Sequence, residues 1–289
     1  MTSKIDLHIH TTASDGKFSP KEVVYKSAAL GLSVIAICDH DTVDGVANAL
    51  QAASSFPPKV IPGVEVSTLA PGNEVHILGY FIDYTDPELR AALANARNSR
   101  RERAQAMIAK LKGLGIHIDW QRVQQIAGSA SIGRPHIAQA MLEKGYVTSF
   151  KEAFTKYISC GGPAYAERCK ITPAEAVALI IKADGLPVLA HPTTINDPET
   201  MIAQLKAAGL VGMEVYYNGY TDDERNSLAR MASKYNLIAT GGSDYHGLDD
   251  STETMLGEAN VPPESAEQLI ALAQQRLPKP AGSWYFAEL

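Results

Sequence analysis

Seven short apolar runs, each closing on or carrying polar residues and separated by helical patterns, constrain this 289-residue chain more than any other feature. Residues 4–10, Lys-Ile-Asp-Leu-His-Ile-His, alternate strictly, so Ile5, Leu7 and Ile9 face one side of a strand and Asp6, His8 and His10 the other. Further runs cover 33–41, ending in Asp39-His40-Asp41; 59–67, reaching Glu65; 74–82, carrying His76; and 187–192, ending at His191-Pro192. Residues 212–218 carry Glu214, and Leu237 to Thr240 open into Gly241-Gly242-Ser243-Asp244-Tyr245-His246. Helix starts between them are legible. Ser19-Pro20-Lys21-Glu22 and Thr172-Pro173-Ala174-Glu175 each offer an N-cap, a proline for the first turn and a capping-box glutamate; Thr221-Asp222-Asp223-Glu224 is a third box. Strand–helix alternation with buried strands predicts an α/β parallel architecture. Seven strands with polar residues at their C-terminal ends favour a closed TIM-like barrel with its site at that face. An open doubly wound sheet is the alternative, but no GxGxxG follows the first strand.

The alternation stops between about residues 86 and 165. A helical pattern runs from Asp86 to about Leu114, followed by amphipathic pieces near 120–127, 134–144 and 149–158. The expected organisation is a barrel built from 1–85 and 166–289, with a helical insertion, 86–165, capping the active site. Charge supports the division. Residues 95–170 hold 13 Lys+Arg against 5 Asp+Glu, a balance of +8, whereas the remainder holds 13 against 27, or −14. A basic cap over an acidic body suits an anion bound beside cations.

A hydrophobic fraction of 45% excludes global disorder. No apolar run approaches the roughly 20 residues of a membrane helix, and the N-terminus lacks a signal peptide's apolar core. Cys38, Cys160 and Cys169 form no CxxC pair, which reads as reduced thiols in a cytoplasmic protein and removes thiolate zinc sites from consideration.

The polar residues of the strand ends form one set: His8, His10, Asp15, His40, Glu65, His76, His191, Asp244 and His246. A lone strand-end histidine is an ordinary hydrogen-bonding group, so the weight rests on the set. His8-x-His10 places two imidazoles on one face of a strand, and Asp244-x-His246 repeats that spacing at the far end of the chain. Imidazole and carboxylate without thiolate suit Zn, Mn or Fe(II). Nine such groups exceed the needs of one ion, so two or three divalent ions are expected, with Glu65 as the natural bridge. Glu65, Asp244 and His246 are expected to serve catalysis as well as ligation.

His-x-His-Thr-Thr-x-Ser-Asp-Gly-x-x-x-Pro (8–20), Asp39-His40-Asp41, Gly63-x-Glu65, the strand of His76, Ala190-His191-Pro192 and Gly242-Ser243-Asp244-Tyr245-His246 resemble the polymerase-and-histidinol-phosphatase (PHP) family over residues 4 to about 250. The resemblance implies a distorted seven-stranded (β/α) barrel with a trinuclear metal site that hydrolyses phosphoesters, manganese being expected first and zinc or iron next. It assigns His8, His10, Glu65 and Asp244 to one ion, Glu65, His76 and His191 to a second, and Asp15, His40 and His246 to a third. Asp15 departs from members that carry histidine there. Arg97, Arg100, Arg101 and Arg103, the stretch Ile132-Gly133-Arg134-Pro135-His136, and Glu167-Arg168-Cys169-Lys170 are similar to a bacterial branch of 3′,5′-nucleoside bisphosphate phosphatases and 5′→3′ exoribonucleases.

Elementary physics agrees on the anion. Pro135 suits a helix start, so Arg134 stands at a helix N-terminus where a cation opposes the macrodipole, and a bound anion would remove that conflict. Arg134, His136, Arg101, Arg103 and Lys170 are the expected substrate-binding residues, and His117 is expected to be structural. The expected reaction is removal of the 3′-phosphate from a 3′,5′-nucleoside bisphosphate by hydroxide generated at the metal centre. The alternative is 5′→3′ trimming of short 5′-phosphorylated RNA, with histidinol phosphatase, an amidohydrolase or a metal-stabilised interaction domain behind it. The expected partner is a small nucleotide or very short RNA, with no membrane and no protein partner evident in the sequence.

Overall fold

A computed structural model describes residues 4–55, 57–70, 73–128, 132–167, 171–248 and 254–276. In chain order the elements are β1 (Lys4–Ile9), α1 (Pro20–Ala29), β2 (Leu32–Ile37), α2 (Val46–Ala52), β3 (Lys59–Ala70), β4 (Asn73–Tyr80), α3 (Pro87–Gly113), α4 (Trp120–Ala127), α5 (Arg134–Glu143), α6 (Phe150–Ala153), α7 (Pro173–Lys182), β5 (Leu186–Leu189), α8 (Pro198–Ala208), β6 (Gly212–Tyr216), α9 (Asp222–Lys234), β7 (Ile238–Gly241) and α10 (Pro263–Arg276). All seven expected strands form, and they lie side by side in sequence order. The capping boxes at Ser19, Thr172 and Thr221 close as their spacing predicts, each hydroxyl accepting from the N3 amide while the glutamate returns to the cap.

The fold is an α/β arrangement around a mostly parallel seven-stranded sheet, and here the all-parallel expectation needs correction. β1–β2, β2–β3, β5–β6 and β6–β7 pair parallel, but β4 runs antiparallel to both β3 and β5. Only positions 71 and 72 separate β3 from β4, too few for the crossover that a parallel pair needs. The first half of β3 therefore pairs with β2 and its second half, from Gly63 on, forms a hairpin with β4. Between β1 and β7 the described residues form no ladder. The two meet just past the end of β7, at a parallel bridge between Ile9 and Tyr245, with the His10 amide donating to the Tyr245 carbonyl at 3.0 Å.

Helices α3 to α6 precede α7 in the chain between β4 and β5. They have an apolar cluster of their own that includes Met107, Leu111, Val123, Ile137, Met141 and Ile158. The long α3 belongs to both parts. Its first turns bury Leu89 and Leu93 against the sheet side, and its last turns bury Ala104, Met107 and Leu111 in the helical cluster. Arg100 and Arg103 lie between these two anchorages and are themselves buried. None of the described helices is long and apolar enough to cross a membrane. Cys38 and Cys160 are free thiols, and Cys169 lies outside the described residues.

Candidate metal centre

Four strand ends and one hairpin deliver the polar set to one place. β1 supplies His8 and, one residue beyond it, His10; β2 is followed by His40, β5 by His191, and β7 by Asp244 and His246. Glu65 and His76 depart from the strand-end expectation. Both lie inside the β3–β4 hairpin, where Ser67 faces His76 and Glu65 faces Leu78 in register. The reversal of β4 thus brings a mid-strand histidine to the rim formed by the parallel strands. Asp41, His191 and Asp244 hold positive φ angles of 52°, 29° and 54°. Side chains other than glycine seldom adopt this region, and such strain gathers at functional sites.

Glu65 is the hub. Its Oε1 lies 2.7 Å from His76 Nδ1 and 3.0 Å from His191 Nε2; its Oε2 lies 2.9 Å from His40 Nδ1, 3.3 Å from His10 Nε2 and 3.4 Å from His8 Nε2. His8 Nε2 and His10 Nε2 are 3.1 Å apart, and Asp244 Oδ1 is 2.9 Å from the latter. Asp15 faces His246 Nε2 at 3.4 Å, His10 Nδ1 at 3.7 Å and His40 Nε2 at 3.9 Å. Ligand atoms converge within 4.8 Å in three groups: His8, His10, Glu65 and Asp244; His40, Glu65 and His76; and His10, Asp15, His40 and His246. The second group differs from the expected one in containing His40, while His191 stands beside Glu65.

Hydrogen bonding within the protein does not satisfy this cluster. His10 Nδ1, Asp15 Oδ1, His40 Nδ1, Glu65 Oε2 and His76 Nε2 are buried and make no aligned hydrogen bond, although His40 Nδ1 and Glu65 Oε2 stand 2.9 Å apart. Each such atom costs about 1–3 kcal/mol, and five of them within one nitrogen-and-oxygen cluster fit divalent cations. The electrostatics point the same way. Burial would raise the carboxyls of Glu65, Asp15 and Asp244, but the facing imidazoles outweigh it and hold all three well below the usual carboxylate range. Burial pushes His40 down to about 4. Burial also acts to lower His8, but the charges of Glu214, Asp244 and Glu65 overcome it and raise the pKa well above its ordinary value.

Behind the ligands stands a layer of acids that the sequence displayed without revealing their task. Glu214 Oε1 meets His8 Nδ1 at 2.9 Å, and its Oε2 accepts the His191 amide at 2.8 Å. Asp39 accepts from the Thr11 amide at 2.8 Å, the Thr11 hydroxyl at 2.8 Å and the Ser14 hydroxyl at 2.6 Å. Asp6 accepts from the Ser243 amide at 2.9 Å, the Ser243 hydroxyl at 2.6 Å and the Gly257 amide at 2.8 Å, so the first strand holds the loop after the last. Asp41 takes the Ser67 amide at 2.9 Å and Arg100 Nε at 2.5 Å. The available signal was the acids in or beside ligand-bearing segments: Asp6 two residues before His8, Asp39 and Asp41 flanking His40, and Glu214 within an apolar run.

A cavity of about 290 Å³ is lined by Asp15, His40, His76, Asp244 and His246 of the cluster and by Arg100, Arg103 and Arg134 of the helices. Arg134 begins α5 beside the Gly133 cap, as the proline at the second position implied. His136 is buried with Nδ1 accepting the Gly133 amide at 2.9 Å, so it caps its own helix. Arg101 is placed elsewhere. It is exposed, its guanidinium lies 5.7 Å from the Trp120 ring, and it does not line the cavity. One residue on a helix turns 100°, so Arg100 takes the inward position that the sequence reading gave to Arg101. Lys170 lies outside the described residues. His117 is exposed and contacts its surroundings through its backbone, its amide bonding the Tyr146 hydroxyl and its carbonyl Lys144 Nζ.

The PHP domain family model matches residues 6–157. The chain is 36% identical over 250 residues to a 5′-3′ exoribonuclease of Haemophilus influenzae, covering 85% of this chain and 91% of that protein. It is 33% identical over 266 residues to a 3′,5′-nucleoside bisphosphate phosphatase of Chromobacterium violaceum, covering 90% and 93%. Among solved structures it resembles a "putative metal-dependent phosphoesterase" from Bifidobacterium adolescentis, with a TM-score of 0.84 at 28% identity over 93% of this chain and 96% of that one.

Proposed function

The chain belongs to the PHP domain family and is a metal-dependent phosphoesterase; on that premise we propose that it removes the 3′-phosphate from 3′,5′-nucleoside bisphosphates. One observation carries this reading: a single cavity joins the imidazole–carboxylate cluster to Arg100, Arg103 and Arg134. A substrate with two phosphates meets both the cluster and the arginines in that one cavity. The expected ions, manganese first, would be held by the three convergent groups around Glu65. Divalent cations so bound lower the pKa of water and neutralise charge on phosphoryl oxygens.

The protein's own groups orient the reaction. Glu65, fully buried and held ionised by its facing imidazoles, stays a permanent acceptor at the centre. Glu214 accepts from His8 Nδ1 and so turns Nε2 toward Glu65 and Asp244. His246 donates Nδ1–H to the Asp244 carbonyl at 2.8 Å, which leaves Nε2 facing Asp15. Arg134 anchors the 5′-phosphate with Arg103 behind it, so the 3′-phosphate reaches the cluster.

An RNA 5′ end also presents a 5′-phosphate next to a 3′-ester, and the resemblance to an exoribonuclease supports 5′→3′ trimming of short RNA as the second reading. A cavity of about 290 Å³, at the small end for ligand pockets, favours a mononucleotide. The deciding experiment compares kcat/KM of manganese-loaded protein for 3′-phosphoadenosine 5′-phosphate and for a 5′-phosphorylated trinucleotide RNA. Faster release of phosphate with AMP left over supports the phosphatase. Faster release of mononucleotides from the trimer replaces it with the exonuclease, and inactivity toward both with metal bound refutes both.

A further inference from the structure

One carboxylate in the cavity belongs neither to the cluster nor to the acids behind it. Glu74, on β4 two residues before His76, faces Arg103 with both oxygens: Arg103 Nη1 donates to Oε1 at 3.2 Å and Nη2 to Oε2 at 3.4 Å. The same Oε2 lies 3.0 Å from Arg134 Nη2. Arg103 comes from α3 and Arg134 from the start of α5, so a single side chain of the sheet ties together two helices of the insertion. The remaining contacts of Arg103 make it a backing group. Its Nε donates to the Ala166 carbonyl at 3.1 Å, and its guanidinium lies 5.3 Å from the Tyr165 ring. Arg134 has a more open side: Nη2 meets Glu74, its face lies 5.6 Å from the Phe154 ring, and its side chain is 24% exposed.

The buried guanidinium of Arg103 and the half-buried one of Arg134, with a third, Arg100, nearby, repel one another. Burial pushes the Arg134 pKa down, Glu74 opposes that, and the charges of Arg103 and Arg100 reinforce it. The acid between them is the feature that makes the grouping tolerable. Glu74 is also fixed relative to the cluster, because it shares β4 with His76 and its Oε1 lies 3.7 Å from His76 Nε2.

We propose that Glu74 is a positioning residue that locks Arg103 and Arg134 into one anion clamp at a set distance from the metal centre, and so determines selectivity for substrates with a second phosphate. The inference rests on the two-phosphate reading above. Glu74 need not touch the substrate. It holds Arg134 through Nη2 while Arg134 lines the cavity and keeps donors open to a phosphate, and its β4 position relates that phosphate to the reacting one.

The test measures kcat and KM of manganese-loaded protein for 3′-phosphoadenosine 5′-phosphate and for adenosine 3′-monophosphate, which lacks the 5′ group. The readout is the ratio of the two kcat/KM values. Glu74→Gln is expected to lower that preference at least about tenfold, chiefly through KM for the bisphosphate. Glu74→Asp keeps the charge but shortens the reach, so it should lose part of the preference while retaining the fold, and it serves if the glutamine variant does not fold. In an Arg134→Ala background, Glu74→Gln should add less than about a twofold further loss, since the two act as one unit. An unchanged preference in folded Glu74→Gln overturns the inference and leaves the two-phosphate reading standing. A preference that rises overturns it too, by making Glu74 a competitor for the arginines. If the wild-type protein itself shows no preference, both the reading and the inference fall.

Discussion

Glu214→Gln replaces one carboxylate oxygen by an amide and removes one charge, and the site gives the change a calculable effect. Glu214 uses both oxygens as acceptors, Oε1 toward His8 Nδ1 at 2.9 Å and Oε2 for the His191 amide at 2.8 Å. Glutamine has one acceptor and one donor group. Whichever way it turns, an NH₂ confronts either His8 Nδ1–H or the His191 N–H, and a buried donor left unpaired costs about 1–3 kcal/mol. If the NH₂ faces His8, the imidazole escapes by moving its proton to Nε2, the nitrogen aimed at Glu65 and Asp244. That nitrogen then cannot hold an ion. The expected loss in manganese affinity is about 10- to 100-fold, the usual range when an acid behind a histidine ligand is removed.

The same substitution changes the pH dependence. In the metal-free protein the His8 pKa is raised above its ordinary 6.5, and Glu214 is the foremost charge raising it. An ion must displace that proton, so wild-type affinity should rise with pH from about 6.5 toward the raised pKa. Without the Glu214 charge the His8 pKa falls, and the slope above 6.5 becomes shallower. Competition titration against a chelator at several pH values from 6 to 9 reads both quantities, with thermal melting to confirm the fold. Affinity within about twofold of wild type and an unchanged slope would refute the tautomer argument.

The orientation of α3 and the junction of the first and last strands give two more tests. Arg100→Met should destabilise the protein by about 3–5 kcal/mol in chemical denaturation, because buried Asp41 loses its ion-pair partner. Arg101→Ala should change stability by no more than about 1 kcal/mol and leave KM for the bisphosphate within about twofold, since its cation–π contact with Trp120 is outside the cavity. A large rise in KM for Arg101→Ala would reverse the assigned faces of the helix. Gly242→Ala should cost at least about 1–3 kcal/mol, read as a lowered denaturation midpoint, because an added Cβ would lie 2.4 Å from the backbone nitrogen of His8. A neutral result there would mean that β1 and the loop after β7 are less tightly apposed.

Period and punctuation made most of the frame legible. A two-residue alternation at the N-terminus put His8 and His10 on one face, and three proline- or acid-led capping boxes set helix starts that the structure reproduces. The direction of β4 was not legible in the same way, because an apolar run reads alike in either orientation. The short spacing between Ala70 and Asn73 was the cue that a crossover could not fit. For the site, ligand types at strand ends announced a metal centre, yet no local pattern separates Arg100 from Arg101. That distinction depends on which face of α3 meets Asp41 and Ser67, a fact of tertiary packing. Asp6, Asp39 and Glu214 were hidden for a related reason: an acid that accepts backbone amides looks, in sequence, like an acid that binds an ion.

The charge map shows why counting cations is a poor guide to where an anion goes. Residues 95–170 carry a surplus of +8, but several of those charges are engaged locally: Arg122 with Glu143 at 2.8 Å, Lys156 with Glu152 at 2.7 Å, Lys144 on the His117 carbonyl, and Arg101 over Trp120. Such exposed pairs contribute little and are screened by salt. Among the described residues, Arg100, Arg103 and Arg134 line the cavity; Asp41 offsets the first, and Glu74 is shared by the other two, so three positive charges against two negative leave a surplus of one. A surplus of one charge does not bind a phosphate dianion by field strength alone. Recognition there has to come from guanidinium geometry, held in place by Asp41 and Glu74, and the selectivity of the arginine lining therefore depends on these acids as much as on the arginines themselves.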